Sequence, residues 1–197
     1  MKAIKTYLAL GDSYTIGEAV PANESFPYQL KEALLKQGHV LESLEIIAQT
    51  GWTTDELQAA IAAEILNPPY DLVTLLIGVN NQYRGYSLET YRIEFEQLLH
   101  QAICYAGKDV DRVRVLSIPD WGVTPFAQKE GRAAEQVAKE IDAFNAAAQE
   151  ISEKLGVVFI QITPHSRSAA TDLSLLASDG LHPSGKMYAE WVQQLMG

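Results

Sequence analysis

The sequence has 197 residues, and we expect residues 1–197 to form a single domain around one hydrophobic core. Hydrophobic residues make up 47% of the chain and charged residues 20%, a globular composition that argues against disorder and low complexity. The 15 Lys and Arg against 25 Asp and Glu give a net charge of −10. Such a charge disfavours nucleic acid and anionic membrane surfaces as partners.

Cysteine content and the length of the apolar segments exclude further classes of protein. Cys104 is the one cysteine, so no disulfide can form within the chain, and the four histidines belong to no Cys/His cluster with zinc spacing. We therefore expect no metal site. The apolar stretch at residues 7–10 is too short for a signal peptide, and no segment reaches the roughly 18 apolar residues of a transmembrane helix. We expect a cytoplasmic protein without stable membrane association, or a secreted one if a leader has been removed. The oligomeric state stays open.

Short apolar segments alternate with helical patterns along the chain. The segments rich in Val, Ile and Leu predict five β-strands, at residues 5–10, 44–48, 71–77, 112–118 and 157–162. Apolar residues recur every three to four positions in the stretch 131–155 and again after Ser87, which predicts amphipathic helices. Thr53 and Glu56 have the spacing of a capping box, and Pro183-Ser184 precedes a last helix.

The alternation of strands and helices predicts the fold class. Connections of this length join parallel strands through right-handed crossovers. We therefore expect an α/β protein, a three-layer α/β/α sandwich with a five-stranded parallel sheet. Ligands and chemistry in such sheets lie at the carboxyl ends of the strands.

A serine follows the first predicted strand in Gly11-Asp12-Ser13. The strand would fix the backbone of this turn, and Gly11 would permit a tight bend. Backbone N–H groups at a strand-to-helix junction can stabilise negative charge that develops beside a nucleophilic serine. A serine N-cap is the structural alternative. A phosphate-binding loop is disfavoured because neither GxxxxGK[ST] nor GxGxxG is present.

A histidine with a nearby carboxylate precedes the last predicted helix, in Asp179-Gly180-Leu181-His182. A nucleophilic serine needs a general base, and that base needs a carboxylate to hold its tautomer. Asp179 and His182 are three positions apart, so they can meet within one turn. A capping aspartate beside a structural histidine is the alternative.

Gly51 and Asn80 follow the second and third predicted strands. The N–H of Gly51, the side-chain amide of Asn80 and the N–H of Ser13 could together donate to an oxyanion. A turn glycine and a loop asparagine are the structural alternatives.

These blocks resemble the SGNH/GDSL hydrolase superfamily, which is named for Ser, Gly, Asn and His residues in separate blocks. The resemblance implies a flavodoxin-like three-layer fold, no cofactor, Ser13 as nucleophile, His182 as base and Asp179 as the residue that orients it. It also implies an oxyanion hole of Ser13, Gly51 and Asn80. The third block commonly reads Gly-x-Asn-Asp, whereas this chain has Asn81 at the last position.

Aromatic and basic residues in the loops after the strands are candidates for a substrate pocket: Trp52, Tyr83, Arg84 and Trp121. For Arg84 the expected contact is an anionic group on the leaving portion of a substrate. Packing beneath loops, and a solvated arginine, are the structural alternatives.

The sequence therefore predicts a serine esterase that hydrolyses small-molecule carboxylic esters through an acyl-enzyme. A carbohydrate O-deacetylase or a thioesterase would use the same residues with a different pocket. The alternatives from other classes are a non-catalytic ligand-binding module and a nucleotide or flavin carrier, which the absence of a phosphate loop disfavours.

Overall fold

The computed structural model describes residues 3–197. Within them, five parallel strands form one sheet in the order β2-β1-β3-β4-β5. The strands are β1 Thr6–Asp12, β2 Ser43–Gln49, β3 Leu72–Leu76, β4 Val113–Leu116 and β5 Val158–Ile160. This is the strand order of flavodoxin-like folds, which the resemblance to the SGNH/GDSL superfamily implied.

Helices connect the strands. Their bounds are α1 Ser13–Ile16, α2 Phe26–Lys36, α3 Thr54–Ala63, α4 Val79–Tyr83, α5 Leu88–Tyr105, α6 Pro125–Lys129, α7 Ala134–Lys154, α8 Thr163–Arg167 and α9 Gly185–Met196. One-turn 3-10 helices lie at Ala22–Glu24, Val110–Arg112, Trp121–Val123, Ser168–Ala170 and Leu173–Leu175. Helix α2 packs against α9, and α5 packs against both α3 and α7. The helices flank the sheet, which gives the predicted three-layer α/β/α sandwich.

Apolar patterning explains where the core lies. All five residues of β3 are buried, as are Tyr7 to Asp12 of β1, because helices cover both faces of the central strands. Helix α7 turns one stripe toward the sheet, with Val137, Ile141, Phe144, Ala148 and Ile151 buried. The capping box forms as predicted, since Thr53 and Glu56 cap the start of α3.

Gly11 has a different role from the one that the sequence suggested. The expectation was a tight turn, but β1 continues through Asp12 and Gly11 pairs with Ala48 and Leu76 on the neighbouring strands. A Cβ atom at this position would lie 2.1 Å from Thr15 Oγ1 and 2.4 Å from the Leu76 carbonyl oxygen. Gly11 is therefore required by close packing around the strand end.

None of the helices within residues 3–197 combines the length and the apolar character needed to cross a bilayer.

Candidate active site

The predicted site residues follow the carboxyl ends of neighbouring strands. Ser13 follows β1 directly, Gly51 follows β2, and Asn80 lies on α4 after β3. Because β1 lies between β2 and β3, these three positions come together at one edge of the sheet. The segment before α9 brings His182 to the same edge.

Ser13 occupies the first position of α1. Its N-cap is Asp12, whose Oδ1 accepts a hydrogen bond of 3.0 Å from the N–H of Tyr14. The first N–H groups of a helix have no partner within the helix. Ser13 is only 5% exposed, so its hydroxyl has a fixed and largely desolvated setting.

His182 joins Ser13 to Asp179. Its Nε2 lies 3.0 Å from Ser13 Oγ, although the two residues are 169 positions apart in the chain. Its Nδ1–H donates to Asp179 Oδ2 over 2.6 Å. With the proton on Nδ1, Nε2 is free to accept the proton of the serine hydroxyl.

Backbone and ring contacts hold the two members of this pair. Asp179 Oδ1 accepts hydrogen bonds of 3.0 Å from the N–H groups of Leu181 and His182. The His182 carbonyl accepts from the N–H of Ala177, and its ring lies against Tyr14 with centroids 5.4 Å apart. The imidazole is thus fixed at both of its nitrogens and on one face.

Electrostatics favour the ionised form of Asp179. Burial alone raises the pKa of this carboxyl, but the hydrogen bonds from the His182 ring and from the backbone N–H groups of Leu181 and His182 outweigh it. The pKa of Asp179 therefore lies below its ordinary value, and the carboxylate can stabilise a positive charge on His182.

Gly51 and Asn80 are each held by one further contact. Gly51 has a φ of +87°, a conformation that favours glycine, and its carbonyl accepts from Arg84 Nη2 over 2.6 Å. One N–H of the Asn80 amide donates to the Trp52 carbonyl over 2.9 Å. An amide nitrogen has two hydrogens, so this contact uses half of its capacity.

A cavity of about 180 Å³ opens beside the serine. Its lining includes the predicted residues Ser13, Gly51, Asn80, Tyr83, Trp121 and His182. The others are Tyr14, Thr50, Val79, Phe126 and Leu181, which were not among the predicted site residues. Four of these are sequence neighbours of predicted site residues, a signal that could have found them, whereas nothing in the sequence marks Phe126.

Two predicted pocket residues lie elsewhere. Neither Trp52 nor Arg84 is among the described residues that line the cavity. Trp52 packs against the core and offers its carbonyl to Asn80. The guanidinium of Arg84 bonds the Gly51 carbonyl and Glu56, the latter over 3.1 Å, and so holds the Gly51 loop. Its expected contact with a substrate anion stays a prediction.

Asp12 is fully buried directly before Ser13. Burial raises the pKa of this carboxyl to about 7, against the lowering effect of its hydrogen bond from Tyr14. Its Oδ2 has no hydrogen-bond partner among residues 3–197. It caps α1 and makes no contact with His182 of the kind that Asp179 makes.

Comparison with known proteins identifies the family. A sequence model of the GDSL-like Lipase/Acylhydrolase family matches residues 9–190. A comparison with curated protein sequences found no match.

Solved structures share the fold. The lipase/acylhydrolase from Enterococcus faecalis is 20% identical with a TM-score of 0.75, over 98% of this chain and 93% of that one. The psychrotrophic esterase EstA from Pseudoalteromonas sp. is 15% identical with a TM-score of 0.73, over 98% and 94%. An acetyl xylan esterase from Geobacillus stearothermophilus is 16% identical with a TM-score of 0.69, over 100% and 94%. Because the family model spans most of its length, the chain belongs to the GDSL-like lipase/acylhydrolase family and is a carboxylic ester hydrolase.

Proposed function

We propose that the protein hydrolyses small-molecule carboxylic esters through an acyl-enzyme formed on Ser13. The observation that carries this proposal is the pair of hydrogen bonds on His182, one to the Ser13 hydroxyl and one to the Asp179 carboxylate. A nucleophile, its base and the group that orients the base are thereby in contact before any substrate binds.

Acylation begins when Ser13 Oγ attacks the ester carbonyl carbon. His182 Nε2 takes the hydroxyl proton as the new C–O bond forms, and Asp179 stabilises the resulting imidazolium. The bond to the alcohol oxygen then breaks, and His182 returns the proton to that oxygen. The acyl group stays on Ser13, and the alcohol leaves.

Three donors are available for the negative charge on the carbonyl oxygen. They are the N–H of Ser13, the N–H of Gly51 and the second N–H of the Asn80 amide, and all three residues line one cavity. Hydrogen bonds that strengthen in the tetrahedral intermediate lower the barrier of both chemical steps.

Deacylation repeats the same chemistry with water. His182 takes a proton from water as the water oxygen attacks the acyl carbon, and then returns a proton to Ser13 Oγ as the acid is released. No cofactor is required in this sequence of steps.

Turnover of p-nitrophenyl acetate tests the assignment. Ser13→Ala and His182→Ala should each lose about 10⁴-fold or more in kcat while remaining folded. Matched controls are Ser178→Ala and His100→Ala, which change exposed residues of the same types and should keep full turnover. A Ser13→Ala variant with an unchanged rate would reject the proposal.

Covalent labelling separates the enzyme from a non-catalytic binding module. A fluorophosphonate should modify Ser13, as identified by peptide mass spectrometry, and His182→Ala should label far more slowly. A binding module would leave Ser13 unmodified.

Acetylated carbohydrate is a second candidate substrate. One structural relative is an acetyl xylan esterase, and an acetyl group is small enough for a cavity of about 180 Å³. Release of acetate from acetylated xylooligosaccharides, compared with p-nitrophenyl acetate, would distinguish a sugar leaving group from a simple alcohol. Thioester cleavage is tested in the same way with acetyl and octanoyl thioesters.

A further inference from the structure

An aromatic wall closes one side of the cavity beside Ser13. It consists of Trp121, Tyr83 and Phe126. The Trp121 ring is 5.4 Å from Tyr83 and 6.1 Å from Phe126, centroid to centroid, in edge-on arrangements. Trp121 is 2% exposed, so its ring forms the buried part of this wall.

Trp121 is fixed by the side chain of Gln82. The indole Nε1–H donates to Gln82 Oε1 over 2.8 Å, and the Gln82 amide nitrogen donates to Glu140 Oε2 over 2.5 Å. Gln82 is almost fully buried, and it lies on α4 two positions from Asn80. The guanidinium carbon of Arg132 lies 5.4 Å from the centroid of the Trp121 ring, within the range of a cation–π contact.

The backbone of Trp121 is fixed as well. The preceding Asp120 is buried, and its Oδ1 accepts from the N–H of Gly122 over 2.9 Å. Its Oδ2 accepts from Arg167 Nε over 2.8 Å. A ring held at its nitrogen and at its backbone cannot move aside to lengthen the cavity without breaking buried hydrogen bonds.

The size of the cavity limits what fits against this wall. Sites for drug-sized ligands measure roughly 300–1,000 Å³, whereas this cavity measures about 180 Å³. A cavity of this size holds a short acyl group beside Ser13 but not the whole of a long acyl chain.

The chemistry assigns this enclosed side to the acyl group. Between the two steps the alcohol must leave and water must reach the acyl carbon beside His182, so the alcohol side has to open to solvent. The acyl group stays bound to Ser13 throughout. It therefore belongs against the wall that does not open, at Trp121.

We propose that Trp121 limits the acyl group to short chains, and that Gln82 is the positioning residue that holds Trp121 in place. This inference rests on the proposed function, because it concerns the acyl group that Ser13 would carry. It narrows the substrates to esters of short-chain acids.

A series of p-nitrophenyl acetate, butyrate and octanoate tests the limit. The unaltered protein should hydrolyse octanoate with a kcat/KM at least about tenfold below that for butyrate. Trp121→Ala should raise the ratio of octanoate to butyrate by about tenfold or more. Gln82→Met, which removes the hydrogen-bond acceptor at similar length, should raise the same ratio by less, because the ring is loosened and not removed.

The ratio of the kcat/KM values for octanoate and butyrate distinguishes a role in specificity from a general loss of structure, because misfolding lowers both values together. Tyr28→Ala changes a partly exposed aromatic residue on α2, outside the cavity lining, and should leave the ratio unchanged. If Trp121→Ala fails to fold, Phe126→Ala decides, because its partly exposed side chain lies on the same wall.

Two results would overturn the inference while leaving the proposed function intact. One is equal hydrolysis of butyrate and octanoate by the unaltered protein, and the other is an unchanged ratio in a folded wall variant. Failure of the proposed function looks different, because acetate would then not be hydrolysed and Ser13 would not be labelled.

Discussion

Asn81 and Thr54 join the starts of two helices beside the candidate site by two hydrogen bonds. The N–H of Thr54 donates to Asn81 Oδ1 over 3.1 Å, and Asn81 Nδ2 donates to Thr54 Oγ1 over 2.6 Å. Both residues are fully buried, and the Thr54 hydroxyl in turn donates to Glu94. The amide at position 81 both accepts and donates, which an ionised carboxylate cannot do. The corresponding block of the family commonly has an acid at this position, whereas in this chain the carboxylate that contacts Thr54 belongs to Glu94.

Asn81→Asp should therefore destabilise the fold. The new carboxylate can still accept from the Thr54 N–H, but it competes with Glu94 for the single hydrogen of the Thr54 hydroxyl, and it leaves two carboxylates facing one donor. We expect a loss of about 1–3 kcal/mol in the free energy of unfolding, measured by urea denaturation.

Glu94→Gln provides the compensating change. In the Asn81→Asp/Glu94→Gln protein, the Thr54 hydroxyl can donate to Asp at position 81 and accept from the glutamine amide. The double variant should recover more than half of the stability lost by Asn81→Asp. Additive losses in the double variant would contradict this account of the pair.

The sheet could be predicted from sequence because its strands are short segments rich in Val, Ile and Leu, but the strand ends could not be predicted. β4 and β5 each end two residues before the predicted boundary. Beyond those ends, Asn145 bonds both the N–H and the carbonyl of Ile118, and the Ser117 hydroxyl accepts from the N–H of Ile162. Side chains from distant positions replace the regular pairing there, and residue type within the strand carries no sign of this.

The candidate site likewise has contacts that could be predicted from the sequence and contacts that could not. Ser13, His182 and Asp179 were predicted to meet because each lies in a short polar block, and the sheet rule brings such blocks to one edge. The contacts of Gln82 with Trp121, and of Arg84 with Gly51, could not be predicted. They join loops after different strands, so they depend on the exact length and direction of each loop.

Asp179→Asn should reduce kcat by about 10²–10⁴-fold. The asparagine oxygen can still accept from the backbone N–H groups of Leu181 and His182, so the turn should persist. Its amide nitrogen would face His182 Nδ1 and donate to it, which places the histidine proton on Nε2. That nitrogen could then no longer accept the proton of Ser13.

Steady-state kinetics with p-nitrophenyl acetate measures this loss. The matched control is Asp172→Asn, at the N-cap of the 3-10 helix Leu173–Leu175, where the carboxylate pairs with Lys186 over 2.7 Å and not with a histidine. Equal kinetics for the two variants would show that His182 does not depend on Asp179.

Asn80→Ala should lower kcat by about 10²–10³-fold with a much smaller change in KM, because the lost donor acts on charge that develops only in the transition state. Asn23→Ala, an exposed asparagine in the 3-10 helix Ala22–Glu24, is the control and should leave both constants unchanged. A rise in KM at constant kcat would instead assign Asn80 to substrate binding.

Asp12 makes stability depend on pH with an unusual sign for a carboxyl group. Burial raises its pKa from 3.8 to about 7 in the folded protein. At pH values between 3.8 and about 7, Asp12 keeps a proton in the folded protein that it has released in the unfolded protein. The free energy of unfolding therefore falls as pH rises through this window, and the full penalty of the buried charge is present above pH 7.

Asp12→Asn should remove this dependence while keeping the cap, since the asparagine oxygen can still accept from the N–H of Tyr14. Urea unfolding at pH 5 and pH 8 measures the stability of the variant relative to the unaltered protein. From pH 5 to pH 8, the free energy of unfolding of the variant should rise relative to that of the unaltered protein by up to about 3 kcal/mol. This corresponds to about 1.4 kcal/mol for each pH unit between pH 5 and the folded-state pKa of Asp12. Asp172→Asn is the control. Lys186 lowers the pKa of Asp172 to about 2, so this carboxyl is ionised in both the folded and the unfolded protein at pH 5 and at pH 8. Its stability difference should therefore not change with pH. A difference for Asp12→Asn that stays constant with pH would mean that Asp12 is already ionised in the folded protein at pH 5.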